Sequence, residues 1–219
     1  MSTLRRVTTE IHANGWRHAL QVSVAHIHQL LTIDEVHTWY ERAVDAGPAL
    51  PAKGDQRLIE GTSDDFHLLE EFPTIDASKA QGRLDDGARW WVLLDHERPV
   101  YSVWTFVGQM PMVGAPHGIL LLPPRVVFLE DSVTAPAARG AGFGFAGLDA
   151  VMNQLRSAEV DSVITKVKLG NRPAERFVGK HFRPFATVRI RRHGLSMRVS
   201  VAFTDDAQNR WVAAALEAH

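Results

Sequence analysis

The chain has 219 residues, of which 45% are hydrophobic and 22% are charged, and its formal net charge is −1. This composition is typical of a globular protein, and a chain of this length buries roughly 70% of the surface that its unfolded form exposes. The near-zero charge argues against a general nucleic-acid binder, and the absence of cysteine excludes disulfides, thiolate zinc sites and a cysteine nucleophile.

The first thirty residues carry no pattern typical of export or of a membrane span. The opening MSTLRRVTTE lacks an apolar stretch, and the run Ala19–Leu31 is interrupted by histidine and glutamine side chains. No segment reaches the roughly 20 consecutive apolar residues that a membrane helix needs. We therefore expect a cytoplasmic protein with no membrane partner.

The small net charge conceals two oppositely charged regions. Between Asp34 and Glu97 there are 15 acidic and 6 basic residues, a local net charge of −9. Between Lys166 and Arg198 there are 10 basic residues and one acidic residue, a local net charge of +9. The ordinary interpretation is two solvated faces of opposite sign, and the functional alternative is a pair of surfaces that attract oppositely charged ligands.

In the first half of the chain the pattern predicts two helices and three strands. A strand at Leu20–His28 would precede a helix at Ile33–Ala46, which Thr32 and Glu35 would open as a capping box and Gly47-Pro48 would end. A short helix is predicted at Asp64–Phe72, followed by a hairpin of strands at Arg89–Leu94 and Val100–Val107. The aromatic residues of the hairpin, and the methionines of the apolar insertion at Gly108–Pro124, are expected to pack in the core, with an apolar substrate channel as the alternative.

The second half predicts alternating strands and helices. The expected strands are Val126–Thr134, Ser162–Val167, Thr187–Arg192 and Leu195–Phe203, and the expected helices are Gly142–Arg156, Asn171–His181 and Asp206–Ala218. Because strands alternate with helices and hairpins, the fold class is mixed α/β in a single domain.

A glycine-rich loop is the clearest chemical motif. Arg139-Gly140-Ala141-Gly142-Phe143-Gly144 lies between a predicted strand and a predicted helix. Glycines allow a tight turn whose N–H groups point one way, and the helix adds the positive end of its dipole, so the loop is suited to a phosphate or diphosphate. A connection that merely allows close packing is the ordinary alternative.

Two nucleotide folds fit this loop poorly. A dinucleotide-binding fold requires the glycines to follow the strand directly, but Thr134–Ala138 intervenes. It also needs an acidic residue at the end of the next strand, where Lys166 and Lys168 stand. A Walker loop requires Gly-Lys-Ser/Thr, which does not follow.

Two motifs in order resemble the GNAT superfamily of N-acetyltransferases. Pro136-x-x-Arg139-x-x-Gly142-x-Gly144 resembles the acyl-CoA signature, and Asn171-x-x-Ala174 followed by Lys180-His181-Phe182 resembles the second motif of the family. The resemblance covers Val126 to about Phe203 and extends by topology through the preceding hairpin. It implies a mixed central sheet of about six to seven strands, flanked by helices, with a splayed pair of strands at the acyl-CoA site.

The resemblance also implies a division of the chain. Residues 1–219 would form one GNAT-like acyltransferase domain. Within it, residues 1–75 would be the variable, acceptor-side part, residues 89–203 the core, and residues 205–219 the C-terminal helix.

Acetyl-CoA or another acyl-CoA is the donor substrate that the resemblance implies. Backbone N–H groups of the loop would hold the CoA diphosphate, those of the preceding strand would pair with the pantetheine amides, and Asn171 would reach the pantetheine arm. The donor site would then consist of Ser132, Val133, Thr134, Arg139, Gly140, Ala141, Gly142, Phe143, Gly144 and Asn171. Backbone amides near Val133 would polarise the thioester carbonyl.

The sequence departs from the family where many members have a tyrosine as general acid. That position, seven residues after the asparagine, is Val178, and neither of the two tyrosines, Tyr40 and Tyr101, matches it. The proton acceptor is expected to be Glu130, with Asp131 on the opposite face in reserve, while an ordinary ion pair is the competing interpretation. We expect no metal, because His26-x-His28 has no evident third ligand nearby.

The expected activity is transfer of an acyl group, most simply acetyl, to a primary amine of a small molecule or peptide. One alternative is a longer acyl group delivered by an acyl carrier protein or by CoA. Arg172, Arg176 and Lys180 would form a basic docking stripe for the carrier protein. The other is a non-catalytic acyl-CoA sensor. No nucleic-acid partner is expected, and a homodimer is one candidate assembly.

Overall fold

The computed structural model describes residues 32–44, 55–205, 207 and 209–217. In these ranges the strands are β1 (Thr32–Ala43), β2 (Gln56–Gly61), β3 (Arg89–Asp95), β4 (Arg98–Val107), β5 (Gln109–Pro111), β6 (Ile119–Leu121), β7 (Val126–Thr134), β8 (Ser162–Lys168), β9 (Arg183–His193) and β10 (Ser196–Phe203). The α-helices are α1 (Ala80–Asp85), α2 (Phe143–Leu155), α3 (Arg172–Val178) and α4 (Trp211–Glu217). Short 3-10 helices occupy Ser63–Glu71, Ala77–Lys79, Pro116–Gly118 and Pro136–Ala138.

One mixed sheet organises the described part of the chain. Its eight strands run in the order β10-β9-β1-β8-β7-β4-β3-β2, and β5 pairs with β6 in a separate hairpin. The pair β7–β8 is parallel, whereas the other neighbouring strands are antiparallel. The mixed α/β prediction is confirmed, with more strands than the six to seven expected because β1 and β2 both join the sheet.

The predicted helix at Ile33–Ala46 is wrong, because its residues 33–43 belong to strand β1. It lies between β8 and β9 and pairs antiparallel with both. Its apolar residues fit helical spacing, but Trp39, Tyr40 and Glu41 are buried in succession, as in an interior strand that is covered on both faces. The partners of β1 lie more than 115 residues away along the chain, so tertiary pairing overrides a local preference that a short window reports.

Placing β1 between basic strands also changes the interpretation of the two charged regions. Asp34 makes a two-fold hydrogen bond with Arg189 of β9, at 2.9 and 2.8 Å. Glu35 accepts a hydrogen bond from Lys168 of β8 at 2.7 Å. The two regions are therefore partly paired with each other across neighbouring strands and are not simply two separate solvated faces.

A buried polar contact joins β1 to the C-terminal part of the chain. The Glu41 carboxylate, 4% exposed, lies 2.8 Å from Arg183 of β9 and accepts a short hydrogen bond from the Asn209 amide. Trp211, the first residue of α4, donates to the Asn209 side chain at 3.0 Å. This contact ties the terminal helix to the centre of the sheet.

The remaining predicted elements are found with shifted bounds. The short helix near residues 64–72 is the 3-10 helix Ser63–Glu71, opened by a capping box of Thr62 and Asp65. The helix predicted at Asn171–His181 ends at Val178, and of the helix predicted at Asp206–Ala218 the structure describes α4. The predictions for Leu20–His28, for Gly47-Pro48 and for the histidine pair within Leu20–His28 lie outside the described residues.

The core interpretation of the aromatic hairpin is confirmed. Trp90, Trp91, Tyr101 and Trp104 are each at most 3% exposed, and Trp90 and Trp104 stack with ring centroids 5.8 Å apart. Met110 and Met112 of the insertion are also buried. Among the helices in the described ranges, none is both long and apolar enough to span a membrane.

Helix α2 packs on one face of the sheet through a glycine. A Cβ atom at Gly147 would lie 2.1 Å from the ring of Tyr101 on β4, so only a glycine allows this approach. On the opposite face, Arg83 of α1 lies over the ring of Trp104 at 5.3 Å. Tyr101 and Trp104 point to opposite faces because side chains alternate along a strand.

We expect Gly147→Ala to destabilise the protein by about 1–3 kcal/mol, because the added methyl group forces the helix or the Tyr101 ring to move. The matched control is Gly82→Ala in α1, where an added Cβ meets nothing within 4 Å. That change should leave the free energy of unfolding unchanged or raise it by up to about 1 kcal/mol, since alanine favours the helical conformation more than glycine does. Urea unfolding of both variants tests the difference, and equal stabilities would contradict the close contact between α2 and β4.

Candidate functional site

The two parallel strands β7 and β8 pair over only part of their length. Their pairing runs from Val126↔Ser162 to Leu129↔Thr165 and then stops, although both strands continue. The last link is a hydrogen bond of 2.8 Å from the Thr165 hydroxyl to the Leu129 carbonyl. Beyond it the facing backbone edges diverge, and we call this opening the gap. Unpaired strand edges of this kind are able to bind an extended ligand by backbone hydrogen bonds.

A β-bulge lies where β7 enters the gap. Asp131 and Ser132 together lie opposite Val103 of β4, since the register runs from Trp104↔Glu130 to Ser102↔Val133. Asp131 has φ +50°. A bulge bends its strand and re-aims the side chains near it, so residues 131–134 leave the direction set by the parallel pair.

The glycine loop lies at the head of α2 beside the end of β7. Gly140 and Gly142 have φ of +82° and +86°. Among the described residues, the N–H groups of residues 140–144 have no hydrogen-bond acceptor. Together with the N-terminus of a 13-residue helix, these free N–H groups suit an anion such as a phosphate.

Gly144 brings the first turn of α2 close to two neighbouring elements. A Cβ atom there would lie 3.0 Å from the Thr134 hydroxyl on β7 and 3.2 Å from the Phe177 ring on α3. Phe177 also stacks on Phe145 with centroids 5.0 Å apart. The glycine loop, the end of β7 and helix α3 therefore meet at one place.

Helix α3 begins at its asparagine cap. The side-chain oxygen Oδ1 of Asn171 accepts a hydrogen bond from the Ala174 N–H at 3.4 Å. The NH₂ group of the same side chain remains available as a donor. The helix ends before Lys180, whose ammonium lies 5.3 Å from the Phe145 ring at the head of α2. Lys180 therefore lies in the turn after α3, and it does not extend the helical stripe of Arg172 and Arg176.

A pair of hydroxyl groups lies at the gap on the α2 face. The Tyr101 hydroxyl is 2.9 Å from the Ser132 hydroxyl. Tyr101 is 1% exposed, and its burial raises the pKa of its phenol far above the usual value. Ser132 itself is exposed. Val178, at the position where the family tyrosine was sought, is apolar and buried.

An ion cluster lies at the gap on the opposite face. Glu130 makes a short hydrogen bond with Lys166 of β8, across the diverging strands, and lies 3.7 Å from Arg83 of α1. Arg83 also pairs with Asp131 at 2.7 Å, so the bulge places Asp131 on the same face as Glu130 and the expectation of the opposite face is wrong. The side chains of Glu130, Lys166 and Arg83 are 17–23% exposed, so the cluster is half-buried rather than fully solvated. The alternative of an ordinary ion pair for Glu130 is thus present in the structure, and its role as a proton acceptor stays a prediction.

His37 lies on the same face, one strand away from the gap. It sits opposite Lys168 in the pairing of β1 with β8, next to the pair Trp39↔Lys166. Its side chain is 10% exposed and its Nδ1 atom has no hydrogen-bond partner in the described part of the chain. Burial, and next the charge of Lys166, lower the pKa of His37 below its ordinary value. His37 therefore remains neutral at neutral pH.

The structure brings most of the predicted site residues together. The loop residues 139–144 and the strand residues 132–134 adjoin one another, with Asn171 at the head of the neighbouring helix, while Glu130 reaches the other face of the same gap. Sequence reasoning missed Tyr101, Arg83, Lys166 and His37 as site residues. The spacing of these four residues along the chain does not indicate that they lie close together. The incorrect helix prediction for residues 33–46 also concealed the position of His37 on a strand next to β8. No cluster of three or more His, Asp or Glu residues arranged to hold a metal occurs in the described ranges.

Comparison with known proteins assigns this architecture to a family. The family model described as the acetyltransferase (GNAT) family matches residues 56–182, more than half of the chain. No curated protein matches the chain.

Three of the solved structures that are similar to the chain illustrate the likeness. A conserved protein of unknown function from Staphylococcus epidermidis aligns with 89% of this chain and 82% of its own at 13% identity and a TM-score of 0.51, a likeness of fold. A proposed GNAT-family acetyltransferase from Novosphingobium aromaticivorans aligns over 78% of this chain and 66% of its own, at 13% identity and a TM-score of 0.48. A predicted acetyltransferase from Clostridium acetobutylicum, solved with acetyl-CoA, aligns over 57% and 88%, at 16% identity and a TM-score of 0.37.

The environment of His37 makes its titration testable. We expect its pKa to lie below the ordinary 6.5, and Lys166→Met to raise it, because a positive charge that disfavours protonation is removed. Lys168 also lowers this pKa, and Glu35 and Glu130 raise it, but burial remains the largest cause. NMR titration of the imidazole measures the shift, and Lys180→Met, on the other face, is the matched control.

The same shift affects stability in a defined direction. Because the folded-state pKa of His37 is lowered, the contribution of neutral His37 to the free energy of unfolding is fully present above about pH 6.5. This contribution is lost as the pH falls through the folded-state pKa. An unchanged pKa in Lys166→Met would contradict the proximity of the two side chains.

Proposed function

This chain belongs to the acetyltransferase (GNAT) family, and from that premise we propose that it is an acyl-CoA-dependent N-acyltransferase. The acyl group is most simply acetyl, and the acceptor is a primary amine of a small molecule or peptide. The observation that carries the proposal is the gap between β7 and β8, which opens beside a loop of free N–H groups at the head of α2.

The donor site is built mainly from backbone. The N–H groups of residues 140–144 bind the diphosphate of CoA, helped by the dipole of α2. The free edge of residues 132–134 pairs with the pantetheine amides as an added strand would, and the Asn171 NH₂ group donates to the same arm. The thioester then lies in the gap.

In the proposed acyl transfer, the two faces of the gap have different roles. The amine attacks the thioester carbonyl, backbone amides near Val133 stabilise the oxyanion, and the carbon–sulfur bond breaks to release the CoA thiolate. CoA enters from the face that carries α2 and the glycine loop. The amine therefore approaches from the face of α1, where Glu130 accepts its proton while Lys166 and Arg83 hold the carboxylate in place.

The direct experiment separates an enzyme from a binding protein. Calorimetry with acetyl-CoA measures binding, and a thiol reagent measures release of CoA as a panel of primary amines is added. Binding with amine-dependent release supports the proposal. Binding without release across the panel favours an acyl-CoA sensor, and absence of binding overturns the donor site.

Replacing Gly142 with valine should weaken CoA binding at least tenfold, because the side chain strains a φ of +86° and blocks approach of the diphosphate to the backbone. Gly194→Val is the matched control, since Gly194 also has a positive φ, +60°, and open space but lies in the β9–β10 turn. Calorimetry with CoA measures both. If Gly142→Val keeps the wild-type affinity, the loop is not the diphosphate site.

Glu130→Gln should lower kcat at neutral pH by about 100-fold and shift the pH optimum upward, because the amine must then lose its proton to solvent. Asp131→Asn is the control, as it removes a neighbouring partner of Arg83 but leaves the Glu130 carboxylate intact. The full pH–rate profile is the measurement. An unchanged profile in Glu130→Gln would exclude this residue as the proton acceptor.

A further inference from the structure

Helix α3 offers no acidic hydroxyl to the leaving sulfur. The residue seven positions after Asn171 is Val178, which is buried and apolar. The chain has two tyrosines, and both lie on strands: Tyr40 on β1 and Tyr101 on β4. The group that assists departure of the thiolate, if the chain supplies one, must therefore come from another element.

The orientation of the Tyr101 hydroxyl follows from its burial. Tyr101 is 1% exposed, and within the part of the chain that is described its hydroxyl has one hydrogen-bond partner, the Ser132 hydroxyl. Burial keeps the pKa of the phenol far above the usual value, so the phenol retains its proton. A buried O–H donor without an acceptor is costly, and hence Tyr101 donates to the Ser132 oxygen.

This orientation leaves the proton of Ser132 available. A serine hydroxyl has one donor and two acceptor positions, and Tyr101 occupies one of the acceptor positions. Ser132 is exposed, whereas its partner is buried, so its remaining O–H is accessible to a ligand. A hydrogen bond from a donor that is itself polarised by another hydroxyl is strengthened.

Ser132 lies where the leaving sulfur of an acyl-CoA must pass. It is part of the bulge at the mouth of the gap, three residues beyond the last parallel pair at Leu129. At about 3.3 Å per residue it is ~10 Å from Leu129 and ~7 Å from Thr134, which adjoins the glycine loop. Its contact with Tyr101, beneath α2, puts its hydroxyl on the donor face of the gap.

We propose that the Ser132 hydroxyl donates a hydrogen bond to the departing CoA sulfur and that Tyr101 is the positioning residue that orients it. The inference rests on the proposed acyltransfer. When the carbon–sulfur bond breaks, its electron pair stays on sulfur, and Ser132 stabilises this charge without giving up its proton, because an alcohol is a weaker acid than a thiol. The thiolate takes its proton from solvent after release, and the proton of the amine leaves through the opposite face.

The test compares variants that differ by one oxygen atom. Ser132→Ala should lower kcat with acetyl-CoA by about 10- to 100-fold and leave the Kd for CoA unchanged, since the interaction forms only as charge develops. Ser132→Thr retains the hydroxyl and should recover most of the rate. Tyr101→Phe keeps the ring against Gly147 and should lower kcat by several-fold. Ser196→Ala, an exposed serine on β10, should change nothing.

A second donor distinguishes this role from a structural one. With p-nitrophenyl acetate, whose leaving group is a stronger acid than the CoA thiol, less help is needed, so the ratio of wild-type to Ser132→Ala kcat/KM should approach one. Unfolding in urea shows whether Ser132→Ala and Tyr101→Phe remain folded.

Three results overturn the inference. An equal loss with both donors means that Ser132 acts only on structure, and an unchanged kcat with acetyl-CoA means that it does not assist departure. A wild-type protein that binds acetyl-CoA but never releases CoA overturns the proposed function as well, which separates that failure from the other two.

Discussion

The divergence of β7 from β8 is the constraint on which the site depends. Four residue pairs hold the strands together up to Leu129↔Thr165. The Thr165 hydroxyl donates a hydrogen bond to the Leu129 carbonyl, so this carbonyl at the start of the gap has a partner. Beyond that point backbone groups that would pair within a sheet become free for a ligand. The bulge at Asp131 and Ser132 enlarges the effect, because a bulge bends its strand while β7 still pairs with β4.

Divergence on one side of β8 requires support on the other. Strand β1 supplies it, with seven residue pairs from His37↔Lys168 to Ala43↔Ser162. The completely buried Trp39 side chain stabilises this pairing more than the exposed ion pairs of β1 do, since apolar burial outweighs the modest value of such pairs. The position of β1 also sets the charges on the α1 face of the gap, because it places His37 beside Lys166 and Lys168.

The two faces of the gap differ in what recognises a ligand. On the α2 face recognition is mainly by backbone N–H groups, which need glycines and a helix start but few particular side chains. On the α1 face it is by charged side chains that pair with one another across three elements, α1, β7 and β8. In the proposed reaction, an amine entering on this face would meet charged groups that already pair with one another, so it would have to compete for them.

The sequence by itself determined the elements whose signals are local. The glycine loop, the hairpin of β3 and β4, strand β7 and the helix that follows it are all set by neighbouring residues, and the order of two motifs sufficed for the family. Tertiary structure alone decided that residues 32–43 form a strand, that Tyr101 meets Ser132, and that Lys166 meets Glu130. These outcomes depend on partners 31 to about 155 residues away. A local window contains neither those partners nor the burial that makes the pairing favourable, and for this reason hydrophobic spacing that fits a helix equally well could not reveal β1.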